Sequence, residues 1–139
     1  MNALTIVKYF IAPKKLLVYY IGNNNHVIQL SSGNNVTWIG SDITKKIKGP
    51  LANPAQGAIA FATTPNKQIH VFYAVGTHIN QLFQSAPNKW ENFDLTDETN
   101  GGLAFYNGQM AGFSIANEQH VYYLAQQIRH GASPPLPGM

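Results

Sequence analysis

The sequence predicts an all-β protein in which a four-stranded antiparallel unit recurs along the chain. Two observations predict it. The segment His26–Leu30 recurs as His78–Leu82, 52 positions later, and the apolar runs are short, rich in Tyr, Phe, Val and Ile, and bounded by Gly, Pro, Asn and Ser. Such runs are typical of strands and turns, and we expect no helix. An internal period of this length indicates units that bury their apolar faces against one another.

The repeat extends over most of the chain. The same offset of 52 aligns Trp38 with Trp90, and one ungapped offset across separated matches is poorly explained by chance. A third copy begins at Gln119–Tyr123, which repeats the pattern of Gln68–Tyr73. The chain therefore holds at least two units and the start of a third.

Each unit is predicted to be a hairpin meander, because its apolar runs are separated by Gly, Asn or Pro residues that suit tight turns. The turns are predicted at Gly22–Asn25, Ser32–Asn35 and Ala86–Asn88. The predicted first strands are residues 4–11, 58–63 and 110–115, the second strands 16–21, 68–75 and 119–125, the third strands 26–31 and 78–84, and the fourth strands 36–40 and 89–93.

We expect residues 1–139 to form a single repeat domain of β-propeller blades. The blades are expected at about 4–44 and 58–96, with a partial blade at about 109–131 and a Pro-rich tail at 132–139. Propellers need four to eight blades, whereas this chain encodes about two and a half to three. Oligomerisation, as a dimer or higher, is therefore expected to complete the ring. A β-trefoil is the alternative, although three copies of 52 residues exceed the 139 present.

Composition excludes several classes of protein. Only 11% of residues are charged and Arg129 is the single arginine, so the chain lacks the basic face that nucleic-acid binding needs. There is no cysteine, and we expect neither a metal nor a cofactor. No apolar run is long enough to span a membrane. The segment Met1–Ala12 lacks the features of a signal peptide, which leaves the compartment open between cytoplasmic and non-classically released.

The sequence carries no catalytic motif. A Gly-x-Ser-x-Gly elbow, a Gly-rich phosphate loop and a His-Glu-x-x-His pattern are all missing. The repeat-equivalent carboxylates Asp42 and Asp94 each stand two residues before a threonine. That pattern favours a turn or capping role over acid-base catalysis, so we expect no enzyme and no catalytic residues.

Several of these motifs together resemble a known family. The strand Gln119–Tyr123, and His78–Leu82 followed by Trp90 and Asp94–Thr96, resemble blades of the fucose-lectin-like β-propellers of fungi and bacteria. The resemblance covers nearly the whole chain. It implies a propeller lectin in which short chains assemble into one ring and sugars bind between adjacent blades.

The resemblance also implies sugar-binding positions. The family's arginine position is occupied by Leu17, His70 and His120, and its glutamate position by Gln29 and Gln81. His70, His120, Gln29 and Gln81 are therefore candidate sugar ligands. Because neutral groups replace a charge-assisted pair, the expected partners are glycans that carry fucose or another neutral sugar, such as GlcNAc or galactose.

Aromatic and amide side chains also indicate sugar binding, independently of the family resemblance. Trp38 and Trp90 are candidates to stack on a pyranose ring, although a repeated tryptophan serves packing between blades equally well. The repeated glutamines could form hydrogen bonds with sugar hydroxyl groups, or they could order a turn. The repeated histidines are expected to be structural or surface residues, because adjacent carboxylate ligands are absent and a spacing of about fifty residues places them on different blades. Core positions are expected for Tyr20, Tyr73 and Tyr123.

Two functions remain open at this point. The first is a multivalent carbohydrate-binding lectin with sites between the blades of an oligomeric propeller. The alternative is a non-catalytic protein-interaction or structural propeller that has lost sugar binding.

Overall fold

The computed structural model describes residues 4–10, 14–54, 58–62, 68–106, 108–115 and 118–126. The Pro-rich tail and the end of the predicted third blade lie outside the described residues. The elements are β1 (Leu4–Phe10), β2 (Lys14–Ile21), β3 (Val27–Ser32), β4 (Ile39–Asp42), α1 (Ile43–Ile47), β5 (Ile59–Ala62), β6 (Ile69–Val75), β7 (His78–Ala86), β8 (Lys89–Asp94), α2 (Leu95–Thr99), β9 (Met110–Ile115) and β10 (Glu118–Tyr123).

The strands form three antiparallel sheets, which we call units 1, 2 and 3. Unit 1 has the order β1-β2-β3-β4 and unit 2 the order β5-β6-β7-β8, so both are meanders in which each strand pairs with the next. In the described part of the chain, unit 3 contributes the pair β9 and β10. The mainly antiparallel β prediction is confirmed.

Residues with a left-handed backbone form the predicted hairpin turns. Asn25, Asn35 and Asn88 have φ angles of 65°, 63° and 61°, and Gly76 has a φ of 58°. Asparagine and glycine tolerate this conformation better than other residues. The turns at Gly22–Asn25, Ser32–Asn35 and Ala86–Asn88 therefore close as their composition predicts.

The prediction that the chain holds no helix is wrong. Two five-residue helices, α1 and α2, directly follow the fourth strands of units 1 and 2. Both end at a residue with a left-handed backbone, Lys48 at φ 53° and Asn100 at φ 56°. One turn is too short to give an apolar repeat with the helical period, so hydrophobic patterning could not reveal it. In the described part of the chain, no helix is long and apolar enough to cross a membrane.

The fourth strand of unit 1 begins later than predicted, at Ile39 instead of Val36. The carboxamide oxygen of Asn34 accepts hydrogen bonds from the backbone N–H groups of Val36 at 2.9 Å and Thr37 at 2.8 Å. These side-chain bonds hold the backbone in a turn and compete with strand pairing. As a result, Trp38 precedes β4, whereas Trp90 lies within β8.

Alternate residues of a strand lie on opposite sides of its sheet, and we name these sides the front and back faces. Around the second strands, the front faces carry Leu16, Val18 and Tyr20 in unit 1, Ile69, Val71 and Tyr73 in unit 2, and Gln119, Val121 and Tyr123 in unit 3. The back faces carry Leu17, Tyr19 and Ile21 in unit 1, His70, Phe72 and Ala74 in unit 2, and His120, Tyr122 and Leu124 in unit 3.

The units pack back face to front face. The main core lies between units 1 and 2, where Tyr19 and Val71 are completely buried. A smaller cluster joins the back face of unit 2 to unit 3 through Ala74, Met110 and Tyr123. Burial of apolar surface between sheets thus holds successive units together.

Both junctions between units use the same hydrogen bonds at repeat-equivalent positions. Between units 1 and 2, the Tyr73 hydroxyl donates to the Pro50 carbonyl at 3.4 Å, and Ala52 N–H donates to the Asn25 carbonyl at 2.9 Å. The later junction repeats both: the Tyr123 hydroxyl donates to Gly102 O at 2.7 Å, and Ala104 N–H donates to Thr77 O at 2.8 Å. Successive units are therefore joined in the same way twice.

Candidate functional site

The residues that define the repeat form a local hydrogen-bonded motif in unit 1. His26 Nδ1 lies 2.7 Å from Asp42 Oδ2, and Asp42 Oδ1 accepts the backbone N–H of Lys45 at 2.9 Å, which caps α1. The Thr44 hydroxyl accepts the backbone N–H of Val27 at 2.8 Å. The predicted capping role of Asp42 is confirmed, since its carboxylate satisfies a free N–H of the helix terminus.

Unit 2 repeats this motif at equivalent positions. His78 Nδ1 lies 2.8 Å from Asp94 Oδ2, and the Thr96 hydroxyl accepts the N–H of Ile79 at 2.8 Å. The expectation that adjacent carboxylates are absent is wrong for His26 and His78, because strand pairing brings together residues sixteen positions apart. Among the described residues, no group of three or more His, Cys, Asp or Glu side chains could hold a metal ion.

The Asp42 carboxylate is stabilised in its charged form. Its burial acts to raise the pKa, but hydrogen bonds from the Lys45 N–H and the His26 ring outweigh this and hold the pKa of Asp42 below its usual 3.8. A carboxylate whose pKa is lower in the folded state stabilises the fold above pH 3.8 and loses that contribution as the pH falls through the folded-state value.

We therefore expect the variant Asp42→Asn to be about 1 kcal/mol less stable than the wild type at pH 5, with the difference shrinking below pH 3.8. Asparagine keeps the helix cap and removes the titrating charge, including its attraction to the His26 ring. Urea unfolding at a series of pH values measures the difference. The variant Asp97→Asn, at an exposed position on α2, should change stability by less than about 0.5 kcal/mol. A difference for Asp42→Asn that stays constant down to pH 2 would contradict the assignment.

The junction between units 1 and 2 brings together two of the predicted sugar ligands, Gln29 and Trp90. The buried Tyr19 links them: its hydroxyl donates to Gln29 Oε1 at 2.7 Å, and its ring meets Trp90 edge-on with centroids 6.3 Å apart. Gln29 and Trp90 are both half-buried, and Trp90 packs against the main core. Trp90 therefore packs between units 1 and 2, as the alternative interpretation predicted, and part of its side chain stays accessible to solvent.

Polar groups continue along the unit 2 side of this junction. Asn92 is half-buried and its Nδ2 donates to the Tyr73 hydroxyl at 2.9 Å. Burial raises the pKa of Tyr73 above its ordinary value, and the bond from Asn92 only partly offsets this, so the hydroxyl stays protonated. The junction thus combines an aromatic side chain with amides and a phenol.

The back face of unit 2 brings together His70 and Gln81. His70 Nδ1 lies 2.8 Å from Gln81 Oε1, and the imidazole lies against the Phe83 ring with centroids 4.8 Å apart. His70 Nε2 is buried without a hydrogen-bond partner among the described residues. If Nδ1 donates to the amide oxygen, Nε2 is a free acceptor.

The other two predicted residues lie apart from these pairs. Trp38 is 40% exposed. His120 stacks on Phe113 with centroids 4.8 Å apart, and its Nε2 lies 3.2 Å from Glu118 Oε2. The six predicted site residues therefore occupy four places, of which two hold a pair.

Sequence reasoning missed Tyr19 and Asn92. The predicted core tyrosine of unit 1 was its neighbour Tyr20, which is only half-buried, whereas Tyr19 is fully buried. Alternation alone cannot tell which face of an amphipathic strand is covered when both faces carry apolar residues. Asn92 has Gly40 as its repeat equivalent, so the repeat contained no signal for it.

The fold and these sites define an antiparallel β-repeat protein whose units 1 and 2 share a His–Asp–Thr motif. No protein-family model and no curated protein sequence matches this chain.

Proposed function

We propose that this protein is a multivalent, non-catalytic carbohydrate-binding protein that takes up neutral sugars in the gaps between successive units. Its units act as propeller blades, and several copies of the chain complete a ring. The observation that carries the proposal is the junction between units 1 and 2, where Tyr19 contacts both Gln29 and Trp90.

The chemistry of this gap suits a sugar. A pyranose presents an apolar face of C–H groups, which an indole contacts, and a rim of hydroxyls that need donors and acceptors. The bond from Tyr19 uses the Gln29 oxygen and leaves the amide nitrogen with donors for a hydroxyl. Gln29, Trp90 and Asn92 are all uncharged, which favours a neutral sugar over a phosphorylated or acidic one.

Repetition of the site would supply the affinity. A single site with a Kd near 1 mM binds by only about 4 kcal/mol. Linked sites that engage a densely glycosylated surface gain avidity of about 10² to 10⁴ without any new contact. The resemblance to fucose-lectin-like propellers supports sites between blades, with fucose, GlcNAc and galactose as the sugars to test first.

A second candidate is a structural or protein-interaction propeller without sugar binding. The favouring observation is that the amide oxygens of Gln29 and Gln81 already bond to neighbouring side chains, Tyr19 and His70. In that case the glutamines orient packing residues, and the gaps between units are closed to ligands.

Fluorescence of Trp90 separates the two candidates. The chain has two tryptophans, so the variant Trp38→Phe leaves Trp90 as the sole reporter. Titration with fucose, GlcNAc and galactose should give a saturable spectral change for at least one sugar, with a Kd of about 0.1 to 10 mM.

The control is Trp38→Phe combined with Gln29→Ala, which should weaken binding about tenfold or more by removing a hydroxyl partner. Circular dichroism verifies that both variants are folded. A flat titration with all three sugars, together with a glycan array that shows no binding of the wild type, contradicts sugar binding and leaves the second candidate.

A further inference from the structure

The connection between β3 and β4 of unit 1 exposes three large apolar side chains close together in the chain. Val36, Trp38 and Ile39 are 81%, 40% and 68% exposed. We call residues 32–39 the apolar turn. A single exposed apolar side chain is ordinary, whereas several that are exposed together mark a surface that contacts another molecule.

The equivalent turn of unit 2 is polar. Ile39 and Glu91 hold the same place in the strand register of their units, and Val36 is equivalent to Asn88 at the offset of 52. Asn88 and Glu91 are both exposed. The fold accepts polar side chains at these two positions, so the packing of a unit does not explain why unit 1 carries apolar ones.

Two side chains pair the backbone N–H groups of the apolar turn. Ser32 Oγ accepts the N–H of Asn34 at 3.3 Å and that of Asn35 at 2.8 Å. Asn34 Oδ1 accepts the N–H of Val36 at 2.9 Å and that of Thr37 at 2.8 Å. An unpaired N–H group costs free energy when it leaves water. Because these four donors are already paired, moving the turn into a less polar medium costs less.

Basic residues lie at the same end of unit 1. Strand pairing places the start of β2, which carries Lys14 and Lys15, beside the end of β3 that leads into the apolar turn. Among residues 1–42 the single acidic residue is Asp42, which lies at the other end of β4 and caps α1. This end of the unit therefore combines exposed apolar side chains with positive charge.

We propose that the apolar turn docks on a membrane surface that contains anionic phospholipids. The indole of Trp38 suits the boundary between headgroups and acyl chains, because it is apolar and carries one N–H donor. Val36 and Ile39 enter the acyl region, and nearby lysines are attracted to anionic headgroups. Side chains this exposed project from the surface, and a fluid bilayer receives them without a preformed groove.

This contact goes beyond the proposed function, since it uses neither Gln29 nor Trp90. The protein would hold a lipid surface at one end of unit 1 and a sugar at the junction between units 1 and 2. The two contacts are tested by different measurements.

Co-sedimentation with vesicles of phosphatidylcholine, with and without phosphatidylserine, tests the proposal. The wild type should bind at least about tenfold more tightly to the vesicles that contain phosphatidylserine, and high salt should remove this preference. The double variant Val36→Asn, Ile39→Gln should bind at least about 30-fold more weakly, because it loses two apolar side chains. It keeps the net charge, and it follows the polar residues that unit 2 tolerates at these positions.

The matched control is Leu51→Gln. Leu51 is 53% exposed, and its neighbour Ala52 bonds to the Asn25 carbonyl in the turn between β2 and β3, at the opposite end of unit 1. This variant should bind vesicles as the wild type does. Circular dichroism verifies that every variant is folded, and the sugar titration of Trp90 should be the same with and without the double substitution.

Fluorescence locates the contact. The variant Trp90→Phe leaves Trp38 as the sole tryptophan, and its emission should shift to shorter wavelength and be quenched by brominated lipid when vesicles are added. Absence of binding to either kind of vesicle overturns the proposal, and so does equal binding to both kinds. A double variant that binds as tightly as the wild type overturns it as well, because another surface then makes the contact.

Discussion

Replacing Leu82 with alanine is expected to lower the free energy of unfolding by about 2 to 5 kcal/mol, the range observed for large-to-small changes in cores. Leu82 is completely buried in the main core between units 1 and 2. Its removal deletes apolar surface from this junction and leaves a cavity, because the two sheets are held on both sides by their own strand pairing. Urea unfolding measures the loss.

Leu30 is the matched control for Leu82. It occupies the same repeat position in unit 1, on the front face, and it is only half-buried. Leu30→Ala should therefore cost less than about 1.5 kcal/mol. Equal losses for the two variants would show that burial between units does not stabilise the fold as described.

Replacing Asn53 with alanine is expected to cost about 2 to 3 kcal/mol. Asn53 is 4% exposed and joins three segments: its Oδ1 accepts the N–H of Gly76 at 2.7 Å, and its Nδ2 donates to the carbonyls of Gly76 at 2.8 Å and Tyr106 at 3.1 Å. Alanine leaves these backbone groups without their partner in a partly buried turn, and an unsatisfied group costs about 1 to 3 kcal/mol.

The control for Asn53 is its repeat equivalent in the next linker, Phe105, which is 49% exposed. Phe105→Ala should change the free energy of unfolding by less than about 0.5 kcal/mol. Thermal and urea unfolding of both variants test the comparison. If Asn53→Ala is as stable as Phe105→Ala, the three-way junction at Gly76 does not contribute to stability.

The strands were predictable because their signals are local. Apolar residues with strand propensity, interrupted by Gly and Asn at left-handed turn positions such as Asn25 and Gly76, specify the hairpins without reference to the rest of the chain. The repeat itself supplied the division into units, and the Asp-x-Thr pattern correctly indicated a cap.

The contacts that join different strands and units were not predictable in this way. The His26–Asp42 pair depends on the register of β3 against β4, and the contact of Tyr19 with Trp90 depends on which faces of two units meet. The order of residues along the chain gives neither the register of two strands nor the pairing of faces between units. The grouping of Gln29 with Trp90, rather than Gln81 with Trp90, is a consequence of the back-to-front packing of units.

That packing also bears on the proposed function. If copies of the chain complete a ring, each junction between copies would repeat the back-to-front junction between units. Assembly would then increase the number of potential sugar sites, which is the condition for avidity on a glycosylated surface.

The central claim is that units stack back to front within a chain, and the proposal built on it is that copies of the chain complete a ring. Sedimentation equilibrium of the wild-type protein between about 1 and 100 μM, where interfaces of standard size commonly associate, tests this claim most directly. We predict a mass that is a whole multiple of 15.3 kDa, at least twofold, at the upper concentrations. A mass of 15.3 kDa across the whole range would contradict it.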